Sequence, residues 1–96
     1  MYTLEQLRKH RDSIHTIGKR YGVRRIQLFG SVARGEAGPQ SDIDFLVDIE
    51  PGRSLLDQAG FTLDVEELLG CPVDVVVEGG INPRLQARIH HEAKPL

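Results

Sequence analysis

Apolar and polar positions along the 96-residue chain alternate between helical and strand spacing. A first helix is predicted from its start signal, because Thr3 and Gln6 have the form of a capping box. Its apolar residues then recur at sums of three and four positions: Leu7, Ile14, Ile17 and Tyr21. This spacing gives the helix one apolar face. Gly22 is suited to end it, since glycine readily takes the left-handed conformation found at helix C-termini.

Two later segments also carry helical start and stop signals. Ser54 is predicted to open a helix that ends at Gly70. Its apolar positions are Leu56, Ala59, Leu63, Leu68 and Leu69. Residues Gly60–Thr62 weaken this helix in its middle, where a break is compatible with the sequence. Asn82-Pro83 is typical of a helix start and opens the last helix. The apolar face of that helix is formed by Leu85 and Ile89.

Three segments have the composition and spacing of strands. Arg25–Phe29 is predicted as a short strand that ends at Gly30, where a short helix to about Glu36 begins. Ile43–Ile49 is the clearest strand, because its odd positions are all apolar. Val73–Val77 is nearly all β-branched, which predicts a central strand. The predicted order is α-β-α-β-α-β-α, so one α/β domain over residues 1–96 is expected.

Composition and charge exclude several classes of protein. The net charge of −2 argues against a protein that coats nucleic acid. No apolar stretch approaches the roughly 18 to 20 residues of a membrane span, and no secretory signal is recognisable. The single cysteine, Cys71, cannot form a disulfide framework. A cytoplasmic protein is therefore expected. Basic residues crowd the first quarter and acidic ones the segment 42–67, either as solvated faces or as a basic rim beside an acidic, metal-filled pocket.

Three carboxylates are candidate metal ligands. Asp42 and Asp44 are two apart in a strand, so they share a face at about 6 to 7 Å along the chain and repel each other unless a cation lies between them. Such oxygen ligands suit Mg²⁺, although a solvated acidic face is the alternative. The apolar neighbours of Asp74 predict that it is buried, where a carboxylate is out of place unless a metal, an arginine or backbone N–H groups pair with it. If the two strands are neighbours, the three carboxylates converge.

The turn at Gly30-Ser31 is a candidate phosphate site. A strand that turns at a glycine into a helix exposes backbone N–H groups, which favour phosphate. The Ser31 hydroxyl adds a further donor, although Ser31 is also a plausible N-cap. Arg34 follows one turn later, where it either reaches a phosphate or faces water. The sequence therefore pairs a phosphate site with acidic residues.

These motifs together resemble the signature of the DNA polymerase beta nucleotidyltransferase superfamily. The signature consists of Gly30-Ser31, ten intervening residues, and Asp42-Ile43-Asp44 followed by the apolar Phe45-Leu46-Val47. The stretch from Leu28 to Asp44 is similar to the minimal branch of the superfamily, the MNT proteins, and Asp74 matches the family's third carboxylate. The resemblance covers essentially the whole chain. It implies the nucleotidyltransferase fold, a small mixed three- to four-stranded sheet flanked by helices.

The resemblance also implies a function and a partner. MNT proteins are often encoded beside a HEPN protein, an all-helical ribonuclease toxin. In such pairs the MNT protein is the antitoxin, which transfers AMP from ATP to a tyrosine of the toxin. The expected partners are therefore a nucleoside triphosphate and a HEPN toxin in a hetero-oligomeric complex, with no direct binding of nucleic acid or membrane.

The family pattern assigns a role to each matching residue. Asp42, Asp44 and Asp74 are implied as catalytic residues and as ligands of two Mg²⁺ ions. The implied nucleotide-binding residues are Gly30, Ser31, Arg34, Asp42 and Asp44. Some relatives have lost catalytic acids and only bind, whereas all three acidic positions are filled here.

Two other functions stay open at the level of sequence. A non-catalytic antitoxin would mask the toxin by binding alone. A nucleotidyltransferase with another acceptor would modify an RNA end or a small molecule. The small size and acidic balance weigh against tRNA, and the lack of a substrate domain weighs against an antibiotic.

Overall fold

A computed structural model describes residues 2–39, 42–79 and 82–96, which form a mixed sheet flanked by helices. The helices are α1 (Leu4–Lys9), α2 (Arg11–Tyr21), α3 (Gly30–Arg34), α4 (Leu55–Leu69) and α5 (Pro83–Glu92). The strands are β1 (Val23–Phe29), β2 (Ile43–Ile49), β3 (Val73–Val77) and β4 (Lys94–Pro95). In the described residues the four strands have the order β3-β2-β1-β4. β2 is parallel to β3 and antiparallel to β1, which is antiparallel to β4. The predicted fold class is confirmed.

The apolar core fills the space between α2, α4 and one face of the sheet. α2 packs on α4 and on β1, and α4 packs on β3. The largest fully buried side chains of this core come from both layers: Leu7, Ile14, Leu28, Phe45, Val47, Phe61 and Val65. The odd positions of β2 turn toward this core, as their alternation predicted. No helix in the three described ranges is long and apolar enough to cross a bilayer.

The first predicted helix is two helices. The capping box of Thr3 and Gln6 is present, and Gly22 ends α2 in the left-handed conformation with a φ of 72°. Between them, His10 leaves helical geometry at a ψ of 7°, and its N–H bonds to the carbonyl of Leu7 at 2.9 Å. A bond over three residues tightens the last turn of α1, so the chain changes direction before α2 begins.

Of the predicted apolar positions of α4, Leu68 and Leu69 pack on the core as expected, but Leu56, Ala59 and Leu63 do not. The buried residues are Phe61, Val65 and Leu69, whereas Leu56 and Leu63 lie on the opposite, exposed side. Burying an aromatic ring removes more apolar surface from water than burying a leucine, and Phe61 packs edge-on against Phe45 in the core. This contact therefore favours the observed orientation of the helix.

The compatible break at Gly60 does not occur, and α4 is continuous. Gly60 faces α2, where a Cβ at this position would overlap the ring of Tyr21. The Tyr21 hydroxyl donates to Asp64 of α4 at 2.8 Å. The glycine that weakens the helix locally thus allows α2 and α4 to approach closely.

The predicted central position of β3 was also wrong. β3 lies at the edge of the sheet, and Val75, Val76 and Val77 are only half-buried. β-branched residues fit the pleated surface of any strand, so their enrichment in a segment does not distinguish an edge strand from a central one.

The last helix and the last strand also differ from the prediction. No residue of α5, which is described throughout, is buried, and Leu85 of its predicted apolar face is half exposed. β4 was not predicted, because it has two residues and one is Pro95.

Candidate active site

Two carboxylates face each other across neighbouring strands. Asp44 of β2 and Asp74 of β3 are directly paired in the parallel register, and Phe29 of β1 lies opposite Asp44. Adjacent Cβ atoms of a strand point to opposite faces, so Asp44 projects away from the core side occupied by Ile43 and Phe45. The two carboxyl groups lie close enough for Asp74 to affect the ionisation of Asp44. The strands that carry Asp44 and Asp74 are therefore neighbours, which is the condition under which the sequence predicted that the carboxylates converge.

Asp44 has the most perturbed carboxyl group of the site. Burial raises its pKa, and the charges of Asp74 and Asp42 raise it further. The positive charge of Arg34 lowers the pKa of Asp44, and the resulting pKa is about 6. A carboxyl group held near other negative charges in a partly dry site favours a cation beside it, because a cation relieves the repulsion.

Asp48 provides a contrast on the same strand. It lies four positions after Asp44, on the same face of β2, and is half-buried. Its carboxylate accepts a hydrogen bond from the Nε of Arg24 at 2.9 Å. The acidic positions of β2 thus differ in their partners: Asp48 has a cation beside it, whereas Asp44 has a second carboxylate.

Asp42 and Asp74 are exposed, which corrects the expected burial of Asp74. β3 has a neighbouring strand on one side only, and the side chain of Asp74 is not covered by the rest of the described chain. No arginine pairs with Asp74 in the described parts of the chain. The exposed carboxylate is therefore accessible to a ligand or to an acceptor group.

The described residues contain no group of three or more His, Cys, Asp or Glu side chains already arranged to hold a metal ion. The expected convergence of three carboxylates is thus limited to the contact of Asp44 with Asp74, with Asp42 close enough to act through its charge. Mg²⁺ is usually bound by one or two carboxylates together with substrate phosphates, not by a complete protein cage. The donor chemistry of the three carboxylates fits such an ion.

Gly30 brings the start of α3 against Asp44. β1 ends at Phe29, and Gly30 has a φ of 75°, a left-handed conformation that favours glycine. A Cβ on Gly30 would also collide with a carboxylate oxygen of Asp44. The glycine is therefore required both by its backbone conformation and by the close approach of Asp44. Ser31, the next residue, is half-buried at the same end of α3.

Arg34 is held by two carboxylates. Its Nε donates to Glu36 and its Nη1 to Glu92 of α5, both at 3.0 Å. The hydrogen bond to Glu36 raises the pKa of Arg34 most, against a smaller opposing effect of burial. Sequence reasoning did not identify Glu92 as a partner of a site residue. The available signal was its position four residues after Arg88 in the last helix, a spacing at which opposite charges pair. Arg34 thus neither contacts Asp44 directly nor simply faces water.

Comparison with known proteins places this arrangement in a family. The family model of the nucleotidyltransferase domain matches residues 7–96. A protein of Methanocaldococcus jannaschii provisionally named a protein adenylyltransferase is 46% identical over 77% of this chain and 80% of its own. The protein adenylyltransferase MntA of Thermococcus cleftensis is 39% identical over 96% of this chain and 94% of its own.

Solved structures agree with the fold. A provisionally identified minimal nucleotidyltransferase is 48% identical and superposes with a TM-score of 0.88, over 99% of this chain and 97% of its own. The tri-AMPylated HEPN toxin of Shewanella oneidensis in complex with MNT antitoxin contains a chain with a TM-score of 0.68. That chain is 18% identical, with 92% of this chain and 69% of its own covered, and therefore supports the fold alone. This chain belongs to the nucleotidyltransferase family, among its minimal members.

Proposed function

We propose that this protein transfers AMP from ATP to a hydroxyl group, that of a tyrosine, on a partner HEPN toxin, and thereby neutralises the toxin. The observation that carries the proposal is the Asp44–Asp74 pair, two carboxylates paired across neighbouring strands, with Asp44 packed against Gly30 at the start of α3. It joins an anionic site to a turn with free backbone donors. The names of the relatives, which are protein adenylyltransferases, support the same activity.

The carboxylates have the chemistry of Mg²⁺ ligands. Asp42, Asp44 and Asp74 would hold two Mg²⁺ ions together with the triphosphate. When bound, these ions neutralise phosphate charge and lower the pKa of the acceptor hydroxyl. The raised pKa of Asp44 reflects the same repulsion that a bound cation removes.

The start of α3 would hold the triphosphate. The backbone N–H groups at Gly30 and Ser31 are free of helical partners, so they can donate to β- and γ-phosphate oxygens. The absence of a Cβ on Gly30 lets the Asp44 carboxylate approach the backbone at the start of α3, so an ion held by Asp44 would lie beside a phosphate bound at this turn. Arg34 contributes a further cation once a phosphate replaces one of its carboxylate partners, Glu36 or Glu92.

The transfer step conserves atoms and charge. The acceptor oxygen forms a bond to the α-phosphorus, the bond from that phosphorus to the bridging oxygen breaks, and pyrophosphate leaves in line. Asp74 is accessible from the edge of the sheet and would accept the hydroxyl proton. The AMP group then remains on the acceptor. The fixed donors at Gly30 and Ser31 stabilise the charge that develops on the leaving pyrophosphate.

A protein acceptor fits the open site. Asp74 lies on an edge strand and is exposed, so an acceptor side chain can approach from outside the sheet. The HEPN toxin in the solved complex carries AMP groups, and its partner there is an MNT antitoxin. A partner protein would thus supply the acceptor hydroxyl.

The proposal is tested by co-expression with the protein encoded by the neighbouring gene, followed by intact mass measurement of that protein. Wild type is expected to add one or more AMP groups, and the Asp42→Asn/Asp44→Asn variant none. Asp48→Asn is the matched control, because Asp48 shares the strand face but pairs with Arg24. If wild type and the double variant both bind and silence the toxin without adding mass, the protein acts by masking and the proposal is wrong.

A further inference from the structure

Exposed leucines are concentrated on α4. Among the described residues, the exposed large apolar side chains are Leu55 and Leu56 at 82%, Leu63 at 64% and Leu85 at 51%. Three of these four belong to α4, and Ala59 of the same helix is exposed as well. Residues three, four and seven apart share a helix face, so Leu56, Ala59 and Leu63 form one line, flanked by Leu55. We name Leu55, Leu56, Ala59 and Leu63 the α4 stripe.

Packing within this chain does not account for the α4 stripe. The core side of the helix is formed by Phe61 and Val65, on the opposite face. Single exposed leucines are normal, but a contiguous apolar line on a short helix is typical of an interaction surface. The stripe is therefore a candidate for burial against another molecule.

The α4 stripe lies beside the strand that carries Asp74. The Nε2 of Gln58 donates to the carbonyl of Val75 at 3.2 Å, and Glu66 accepts from the N–H of Val73 at 3.0 Å. β3 is the edge strand, so these two bonds attach α4 to its outer side. Gln58 lies on the sheet-facing side of α4, three residues before Phe61, whereas Glu66 is three residues after Leu63 and seven after Ala59. The side of α4 that carries Glu66 therefore connects the stripe to the β3 edge.

The charged residues of the helix that carries the stripe are of one sign. All charged residues of α4 are acidic: Asp57, Asp64, Glu66 and Glu67. Asp57 pairs with Arg53, and Asp64 pairs with Arg20. Glu67 is exposed and has no hydrogen-bond or ion-pair partner among the described residues. It follows Leu63 by one helical turn, so the stripe ends at an uncompensated negative charge.

We propose that the α4 stripe is the docking surface for the acceptor protein, which presents an apolar patch with a basic residue against Glu67. This inference rests on the proposed function. An acceptor bound to α4 lies beside the sheet edge formed by β3, the strand that carries Asp74. The acceptor needs to pass only the β3 edge to reach that carboxylate. The opposite edge of the sheet is occupied by β4, which pairs with β1.

A second copy of this chain fits the surface less well. A symmetric dimer buries the same patch on both partners. It would bring the acidic surroundings of one α4 stripe against those of the other, and like charges across an interface oppose association. A basic partner has the complementary charge.

The test compares the Leu56→Gln/Leu63→Gln variant with wild type and with Leu85→Gln, which changes the exposed leucine of α5. The acceptor is the protein encoded by the neighbouring gene, and its binding and AMP transfer are both measured. The dissociation constant and the KM for this protein are expected to rise about tenfold or more in the α4 variant only. The midpoint of urea unfolding and the KM for ATP are expected to stay at their wild-type values in both variants.

Other outcomes overturn the docking surface or the function separately. Wild-type binding and transfer by the α4 variant would overturn the docking proposal while leaving the transferase intact. A dimer that dissociates in this variant with unchanged transfer assigns the stripe to a second copy and also overturns it. If wild type binds the acceptor without transferring AMP, the proposed function fails, and the docking proposal is still decided by whether the variant loses affinity.

Glu67 provides a second arm of the same test. Glu67→Lys is expected to slow association with the acceptor several-fold at low salt, with the difference disappearing at high salt, because a rim charge acts mainly on the association rate. Glu67→Gln should have an intermediate effect. Equal association rates for the three proteins at low salt would contradict the basic partner.

Discussion

Replacing Asp44 with asparagine is expected to stabilise the metal-free protein at neutral pH, although the same change removes a proposed metal ligand. Asp44 is ionised there beside Asp74 and near Asp42, and its pKa is raised from 3.8 to about 6 by burial and by these charges. Asparagine keeps the shape and the hydrogen-bonding capacity but carries no charge. The folded state therefore loses a repulsion that the unfolded chain does not have.

The size of the effect follows from the pKa. One pKa unit corresponds to about 1.4 kcal/mol, so the full difference between 3.8 and 6 is about 3 kcal/mol. Asp44 is only partly buried, and water screens part of the repulsion. We therefore expect the free energy of unfolding to rise by about 1 to 2 kcal/mol above pH 7.

The pKa shift also determines the sign of the effect of Asp44 on stability and the pH range in which this effect develops. A folded-state pKa above the unfolded value means that the folded protein binds the proton more tightly, so this group lowers stability as pH rises from about 4 to about 6. Asparagine does not titrate. The stability difference between Asp44→Asn and wild type is therefore expected to be small below about pH 4 and to reach its full size above about pH 6.

Urea unfolding followed by circular dichroism, in EDTA and over this pH range, measures the difference. Asp48→Asn is the control, because it breaks the ion pair with Arg24 and should lower stability by about 0.5 kcal/mol or less. Added Mg²⁺ with a non-hydrolysable ATP analogue should raise the unfolding midpoint of wild type and of Asp48→Asn, but not that of Asp44→Asn. The electrostatic reasoning is refuted if Asp44→Asn is less stable than wild type at pH 7.5 in EDTA, or if the difference does not change with pH.

Three further substitutions test other parts of the fold and site. Gly30→Ala is expected to lower both AMP transfer and stability more than Gly35→Ala. Both glycines have a φ of 75°, but only Gly30 contacts Asp44. Equal losses for the two variants in unfolding and transfer assays would contradict this contact. Arg34→Gln should raise the KM for ATP about tenfold while Arg88→Gln does not, and equal KM values would remove Arg34 from the nucleotide site. Phe61→Ala should cost about 3 to 5 kcal/mol in urea unfolding, and a cost near that of an exposed leucine would contradict its core position.

Much of the fold was predictable because local signals and tertiary packing agree. Ile43–Ile49 was predicted with the observed bounds, since its apolar residues alternate with acidic ones. The start and stop signals at Thr3, Gly22 and Ser54 also took effect as cap hydrogen bonds and a left-handed glycine. The neighbouring positions of Asp44 and Asp74 depended on strand order, which the sequence suggested only through the family resemblance.

The interactions of Arg34 could not be predicted from local pattern. Glu92 is 58 residues away along the chain and meets Arg34 because α5 returns to α3. The exposed position of Asp74 likewise depends on β3 having a neighbour on one side only. Both facts belong to the tertiary arrangement, which residue spacing within one element does not encode.

The two clearest errors of sequence reasoning lie at the same edge of the molecule. Asp74 was expected to be buried in a central strand, and Leu56 and Leu63 were expected to face the core; all three are exposed. Local patterning fails most often where a sequence serves an interaction that the folded chain alone does not satisfy. A partner docked over α4 and around β3 would bury the leucines and bring an acceptor hydroxyl to Asp74. The docking proposal therefore gives both mispredicted features one physical cause, and the two leucine substitutions test it without altering the carboxylates.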